Sequence, residues 1–305
     1  MESNLIDVFQ AVDPVWEMDA IMFLLVLVGA TINTVLLYVA RMCRVAAQAI
    51  DVMLIQIIAI FDMLICLFMM FSIVLRYMVG NTILAYNGWW CHMSAIFFSG
   101  SLIVTLVFTA LLALVRYLAI VRGIEIKHKL MFVLVYFLLA FIFVLFFALT
   151  VSYDIVTPSS GLYCTPLFSG PNVGARIGGY VSLTLLFFSY ITIPTSYLGV
   201  ILHYKKIISN IDEGYSFWRI QRSTYSLLLV IICYTVTTMP KFILVAITTL
   251  DGPKRSSVAD GISILLLTST TIINALFSLL MHNNLYRRLL HILGISSHSS
   301  EHLLL

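Results

Sequence analysis

Charged residues are scarce in this chain. Lys, Arg, Asp and Glu make up 10% of its 305 residues, whereas a soluble globular domain is about one quarter charged. Hydrophobic residues make up 61%, well above the roughly one half that soluble domains contain. The composition therefore excludes an ordinary soluble domain and indicates a membrane protein.

The sequence also lacks the motifs of the common enzyme and metal-binding classes. It contains no glycine-rich phosphate loop and no His-Glu-x-x-His pair. Its five cysteines and seven histidines are scattered, without the spacing of zinc ligands. No nucleophile and base can be paired from their spacing. We therefore do not expect an enzyme or a structural metal site.

Seven long apolar stretches are the main positive feature. They cover about residues 20–40, 52–76, 92–121, 130–153, 177–203, 224–250 and 259–281. Each is longer than the roughly 17 residues that a helix needs to cross the hydrocarbon core of a bilayer. Strand-like alternation and an internal repeat are both absent, which disfavours a β-barrel and an inverted-repeat transporter. The sequence predicts an all-α membrane protein with seven transmembrane helices.

Basic residues lie in alternate loops, and this asymmetry predicts the orientation in the membrane. The segment before the first span carries acids and no Lys or Arg. The loops predicted to be cytoplasmic hold Arg41, Arg44, Arg122, Lys127, Lys129, Lys205, Lys206, Arg219, Arg222, Arg287 and Arg288. We expect a multi-pass protein of the plasma membrane, in contact with membrane lipids and with its N-terminus outside. Its net charge of +3 then reflects topology and gives no reason to expect a nucleic-acid partner.

The third span carries an arginine at its cytoplasmic end. Arg116 lies 25 residues after Cys91, and a helix of that length measures about 37 Å, enough to place them at opposite membrane surfaces. This arrangement resembles the third transmembrane helix of rhodopsin-family (class A) G-protein-coupled receptors. Further positions match the family in order: Asn33, Asp62, Cys164, Pro194, Pro240 and Asn274.

The resemblance implies how the chain is organised. We expect an outer N-terminus over 1–18, the helix bundle over 19–283, an amphipathic eighth helix over 284–294 and a cytoplasmic tail over 295–305. Leucines in the eighth helix recur at three-to-four spacing opposite two arginines, as in an interfacial helix. Cys91 and Cys164 both fall on the predicted outer side, where disulfides persist, and we expect them to be bonded. Two separate thiols are the alternative.

Several positions depart from the family, and they bear on signalling. Val115 and Ile220 stand where the family places acids that pair with the arginine. We therefore expect Arg116 to lack both partners and basal signalling to be high. The other changed positions are Leu202, Thr238, Ala275 and Ser278.

The resemblance implies a heterotrimeric G protein as the cytoplasmic partner. The tail of its α-subunit would meet residues at the cytoplasmic ends of the third and sixth spans. These residues are Arg116, Tyr117, Arg219 and Arg222.

A carboxylate lies at mid-membrane depth in the second span. Asp62 is expensive there unless it is hydrated, paired or protonated. The resemblance surrounds it with a polar network of Asn33, Thr105, Thr270 and Asn274. A bound sodium ion that biases the resting state is one interpretation, and a water-filled network between the spans is the other.

Lys241, which follows Pro240 in the sixth span, is the unusual residue of the outer half. The resemblance places it in the ligand cavity as a counter-ion for an anionic ligand. A pair with Asp260 or a backbone carbonyl, or a side chain that reaches outward, is the alternative. A retinal Schiff base is disfavoured because the family's retinal lysine corresponds to Thr268.

The remaining predicted cavity residues are mostly apolar or aromatic. They are Phe98, Ser99, Leu102, Leu186, Tyr190, Phe242, Val245, Ile264 and Thr268. Phe98 stands where amine receptors carry an aspartate, so a biogenic amine is disfavoured. A small or lipid-like ligand, weakly polar or acidic, fits this lining better.

Three functions compete on this sequence. The first is a ligand-activated receptor that couples through Arg116. The second is a protein with the receptor fold that does not couple and acts as a scavenger or dimer partner. The third is a transporter or channel, supported only by Asp62 and Lys241 within the membrane.

Overall fold

The computed structural model describes residues 16–42, 50–80, 88–152, 155–156, 162–166, 172–208, 215–251 and 256–292. Within these ranges the chain forms eight helices. They are α1 (Trp16–Met42), α2 (Ile50–Val79), α3 (Trp89–Val121), α4 (His128–Ser152), α5 (Val173–Ile208), α6 (Tyr215–Asp251), α7 (Ser257–Met281) and α8 (Asn283–Ile292). Two short strands, β1 (Ile155–Val156) and β2 (Thr165–Pro166), lie between α4 and α5.

Helices α1 to α7 are long and apolar enough to cross a membrane. Each coincides with one of the predicted apolar stretches, so the predicted seven-helix bundle is confirmed. Most of the helices are longer than the predicted apolar stretches, because polar residues at their ends are also helical. Helix α5, for example, extends through Lys205 and Lys206.

Helix α3 lies at the centre of the bundle. In its most apolar stretch 83% of the residues are buried, against 22% in the corresponding stretch of α4. Small residues of α3, among them Ser101, Ala110 and Ala113, are fully buried and let neighbouring helices approach closely. Helix α4 instead exposes a row of aromatic side chains, Phe132, Tyr136, Phe137, Phe141 and Phe147, a face suited to lipid.

One glycine marks a close approach between helices. A Cβ atom built on Gly29 of α1 would lie 2.8 Å from both Cys66 Sγ of α2 and Thr271 Oγ1 of α7. Any side chain at this position would push the three helices apart. The contact places α1 directly against α2 and α7.

An ion pair joins the outer ends of α1 and α2. Arg76 contacts Asp19, and both side chains are buried, at 5% and 2% exposure. A lone charge at this depth would be costly, whereas the pair compensates both groups. The two helix ends are thereby held together.

The outer hairpin is tied to α3 by a disulfide. β1 and β2 pair antiparallel, with Ile155 opposite Pro166 and Val156 opposite Thr165. Cys164, just before β2, is bonded to Cys91 in the first turn of α3, which confirms the predicted disulfide. Tyr163 is only 3% exposed, so the bond carries this side chain down into the bundle.

The eighth helix is amphipathic, as predicted. Leu285 is fully buried in a cluster with Leu36 and Val39 of α1, while Arg287 and Arg288 are exposed. Residues 1–15 and 293–305 lie outside the described residues. The outer N-terminus and the cytoplasmic tail therefore remain predictions.

Candidate functional site

A buried ion pair closes the outer half of the bundle. Lys241 Nζ of α6 lies 3.0 Å from Asp260 Oδ1 of α7, with the side chains 9% and 0% exposed. The Tyr163 hydroxyl donates to the same Asp260 oxygen at 3.0 Å and accepts a hydrogen bond from Lys241 Nζ. The ammonium also lies 4.3 Å from the centre of the Tyr163 ring, within cation–π range.

The ammonium of Lys241 is paired with Asp260, as one of the alternatives predicted. Lys241 also lines the cavity described below. Tyr163 hydrogen-bonds to both members of the pair, a contact that was not predicted. Whether a ligand contacts Lys241 stays a prediction.

Two predicted cavity residues of α3 meet the outer loop instead. The Phe98 ring packs on Tyr163 with 5.7 Å between centroids, and the Ser99 hydroxyl donates to the Cys164 carbonyl at 3.3 Å. Both lie in a π-helical turn, Ala95–Ser99, a type of helix defect that is frequent at functional sites. The turn adds a residue to the helix and aims both side chains at the loop.

A cavity lies beneath the ion pair, between α3, α5, α6 and α7. It is small, with a volume of about 20 Å³, which is room for about one water molecule. Its lining consists of Leu106, Leu186, Ser189, Tyr190, Tyr234, Thr238, Lys241, Phe242 and Leu267. The predicted ligand residues within this lining are Leu186, Tyr190, Lys241 and Phe242.

The other predicted ligand residues lie outside that lining. Leu102, Ile264 and Thr268 are buried in the bundle, and Val245 is partly buried. The cavity instead extends one and two turns towards the cytoplasm from Lys241, past Thr238 and Tyr234. That the predicted residues contact a ligand stays a prediction.

The predicted polar network occupies the middle of the bundle. Asn274 Nδ2 of α7 donates to Asp62 Oδ2 of α2 at 3.1 Å. Asn33 Nδ2 of α1 donates to the carbonyls of Gly29 at 2.9 Å and Thr271 at 3.1 Å. These two amides therefore link α7 to both α2 and α1.

Some polar atoms of this network are left without a partner among the described residues. The second Asp62 oxygen and the Thr105 hydroxyl are both buried and form no hydrogen bond of ordinary geometry with a described residue. The two side chains nevertheless lie close enough to interact with each other. The hydroxyl of Thr270, also buried, donates to the Leu267 carbonyl at 2.6 Å. The carboxylate thus retains an unused acceptor atom facing hydroxyl-bearing neighbours.

Arg116, near the C-terminal end of α3, is held by side chains from three other helical segments. Its Nε lies 3.2 Å from Asp51 Oδ2 of α2 and its Nη2 lies 2.7 Å from His282 Nε2, just after α7. Its Nη1 lies 3.4 Å from the Tyr197 hydroxyl of α5 and 3.4 Å from Met281 Sδ. We call these five residues the arginine cluster.

Arg116 lacks the two acids of the family, as expected, but it is paired with a different carboxylate, which the prediction did not foresee. Val115 is buried in the apolar core, and the carboxylate comes from α2 instead, 65 residues earlier in the chain. Asp51 could have been noticed as an acid in the first turn of α2. Tyr197 could have been noticed as a hydroxyl in the same helix as Leu202, one of the changed positions.

The other predicted coupling residues are placed only in part. The Tyr117 ring packs against Gly199 of α5, where an added Cβ would lie 2.5 Å from the ring. Tyr117 therefore contributes to the α3–α5 contact. Arg219 and Arg222 belong to α6, but their side chains lie outside the described residues.

His282 must be neutral to accept a hydrogen bond from Arg116. Burial lowers the pKa of His282 from 6.5 to about 4, with a further lowering by the Arg116 charge that Asp51 partly offsets. A protonated His282 would place two cations within hydrogen-bond distance. The arginine cluster is thus sensitive to acid.

The fold is similar to that of a solved receptor. Squid rhodopsin superposes with a TM-score of 0.74 and 11% identity, over 94% of this chain and 88% of that one. No protein-family model matches the chain, and no curated protein matches it. The chain has a rhodopsin-like G-protein-coupled-receptor fold, as the positions of Cys91 and Arg116 predicted. At this identity the likeness extends to the fold alone.

Acid should destabilise the chain through His282. The folded state holds this imidazole neutral, whereas the unfolded chain binds a proton near pH 6.5, so stability is lost as the pH falls from there towards about 4. We expect the melting temperature of the purified chain to fall more steeply over that range than that of His282→Gln. The exposed His291→Gln is the matched control and should keep the steep fall. Equal slopes in all three proteins would contradict the assignment.

Proposed function

We propose that this protein is a receptor that binds a small or lipid-like ligand from the outer side and activates a heterotrimeric G protein through Arg116. The observation that carries the proposal is the arginine cluster. A guanidinium only 8% exposed sits at the cytoplasmic end of the central helix, held by side chains that could release it. A cavity on the predicted outer side lies between α3, α5, α6 and α7, and α3, α5 and α7 also contribute to the arginine cluster.

Two prolines support movement of the helices that link the cavity to the arginine cluster. Pro194 lies inside α5 and Pro240 inside α6, and a proline removes a backbone hydrogen bond and favours bending. Ligand in the cavity would favour an arrangement in which the cytoplasmic end of α6 swings outward. Arg116 would then leave Asp51 and meet the G-protein tail together with Arg219 and Arg222.

The orientation follows the distribution of positive charge. We propose a plasma-membrane protein with its N-terminus outside, because the basic residues at the ends of α3, α5 and α8 and at the start of α4 belong to one side of an alternating bundle. This side also holds the arginine cluster. A cytoplasmic partner would therefore approach the end at which Arg116 lies.

Removing the cluster's carboxylate should activate the protein without ligand. Asp51→Asn weakens the hold on Arg116, and we expect basal nucleotide exchange on a panel of G proteins to rise several-fold. Arg116→Ala should abolish exchange. Glu125→Gln, which removes an exposed acid of the neighbouring inner loop, is the charge-matched control and should leave exchange unchanged.

Other outcomes of the exchange experiment would count against coupling. Exchange that persists in Arg116→Ala would refute the assigned role of the arginine. No exchange from any of these proteins, together with ligand binding, would favour the non-coupling alternative. That alternative rests on positions at which this chain departs from the family, namely Thr238, Ala275 and Ser278.

We also propose that Asp62 binds a sodium ion in the resting state. The unused carboxylate oxygen of Asp62 and the unbonded Thr105 hydroxyl are hard oxygen donors of the kind that such cations prefer. Asn274 would orient the carboxylate through its existing hydrogen bond. The ion would supply a positive charge that compensates the buried aspartate.

Sodium should stabilise the protein through this carboxylate. We expect the melting temperature to rise when choline chloride is replaced by sodium chloride at constant ionic strength, because the ion binds only the folded state. Asp62→Asn should remove that rise. A melting temperature indifferent to sodium in the wild-type protein would favour the water-filled network instead.

A further inference from the structure

We infer that the outer ends of α3, α6 and α7 form a binding site for a phenol, and that Tyr163 occupies this site as a ligand carried by the chain itself. The inference rests on the proposed function only in that an outer ligand acts on this site. Such a ligand would displace Tyr163 and make the same contacts. Its chemical class is an aromatic ring that carries a hydroxyl group.

The side chain of Tyr163 enters the bundle from a segment outside the helices. It lies just before Cys164, which the disulfide ties to Cys91 of α3, and it is only 3% exposed. Because the disulfide fixes the neighbouring residue, the ring is held at a high effective concentration beside the helix ends. Tyr163 thus has the position of a tethered ligand.

The hydroxyl of Tyr163 acts as both donor and acceptor towards the ion pair. It donates to Asp260 Oδ1 at 3.0 Å and accepts a hydrogen bond from Lys241 Nζ. A carboxylate ligand has no proton to donate to Asp260, and an ammonium ligand has no lone pair to accept from Lys241. The pair therefore selects a neutral hydroxyl group.

The ring of Tyr163 makes contacts that an aliphatic alcohol would not make. Phe98 of α3 packs on it with 5.7 Å between the ring centroids, a usual distance for an aromatic pair. Lys241 Nζ lies 4.3 Å from the ring centre, within the distance for cation–π attraction. Tyr163 also belongs to the apolar cluster that contains Leu102 and Ile264. These contacts favour an aromatic ring over an alkyl chain.

A free ligand of this class needs the space that Tyr163 fills. The cavity beneath the ion pair has a volume of about 20 Å³, which is room for about one water molecule and too little for a ring. A buried cavity of roughly 150 Å³ is enough to bind benzene. The substitution Tyr163→Ala, which removes the ring and the hydroxyl, should leave room for one molecule of phenol.

The test compares phenol with fluorobenzene, which has nearly the same size and cannot donate a hydrogen bond. Binding to the purified full chain in lipid nanodiscs is measured by saturation-transfer NMR near neutral pH, where phenol keeps its proton. Nanodiscs without protein give the signal that comes from partition into lipid. Tyr180→Ala, which removes an exposed tyrosine of α5, is the matched control. Melting temperatures establish that each variant is folded.

Tyr163→Ala should bind phenol about tenfold or more tightly than the wild type and Tyr180→Ala, because in those two proteins Tyr163 itself holds the site. It should also bind phenol about tenfold or more tightly than fluorobenzene, which cannot replace the hydrogen bond to Asp260. Equal phenol affinities of the wild type and Tyr163→Ala would overturn the inference. Equal affinities of Tyr163→Ala for the two probes would overturn it too.

Tyr163→Phe keeps the ring packing and serves if Tyr163→Ala does not fold. Without the hydroxyl the ring is held less firmly by the ion pair, so phenol should bind several-fold more tightly than to the wild type. An unchanged affinity for phenol in this variant would contradict the assigned site. Because the readout is binding, a failure to activate G proteins would contradict the proposed function and leave this result standing.

Discussion

Charge pairing within an apolar bundle is the constraint on which the rest of this structure depends. A charged side chain inside a membrane is costly unless a partner compensates it. Among the described residues three ion pairs do so: Asp19 with Arg76, Asp51 with Arg116, and Lys241 with Asp260. Each joins two different helices, so the pairs bind the bundle at both ends.

The two pairs of functional interest lie at opposite ends of the bundle, one between α6 and α7 and the other between α2 and α3. The outer pair, Lys241 with Asp260, neutralises the roof of the cavity and fixes Tyr163 of the outer loop. The pair of Asp51 with Arg116, on the predicted cytoplasmic side, holds α3 against α2. His282 and Tyr197 accept hydrogen bonds from the other guanidinium nitrogens of Arg116. Asp62 lies between the two pairs. Among the described side chains, only Asn274 forms a hydrogen bond of ordinary geometry with it. A ligand would act on the Lys241–Asp260 pair, an ion on Asp62 and a cytoplasmic partner on Arg116.

Much of the fold could be predicted because its determinants are local in sequence. Hydropathy over about 20 residues identified all seven spans, and the three-to-four spacing of leucines identified α8. The disulfide followed from the two cysteines assigned to the outer side. Seven spans together with Cys91, Arg116 and the other family positions in order indicated the receptor fold.

The contacts of the site were harder to predict because they join residues distant in sequence and depend on helix rotation. Asp51 and Arg116 are 65 residues apart, and hydropathy does not tell which face of α2 carries the acid. Tyr163 reaches Lys241 only because the disulfide and the hairpin lower the loop into the bundle. The π-helical turn of α3 shifted Phe98 and Ser99 from the orientation that a regular helix would give. Lys241 with Asp260 was foreseen only as an alternative.

The most direct test of this account is a double-mutant cycle on the arginine cluster. Melting temperatures of the wild type, Asp51→Asn, Arg116→Gln and the double variant would be measured in nanodiscs under one condition. If the carboxylate of α2 holds Arg116, the double variant should lose clearly less stability than the sum of the two single losses, because each single change already breaks the pair. Strictly additive losses would show that the two residues do not interact, and would contradict the claim that this pair holds the resting state.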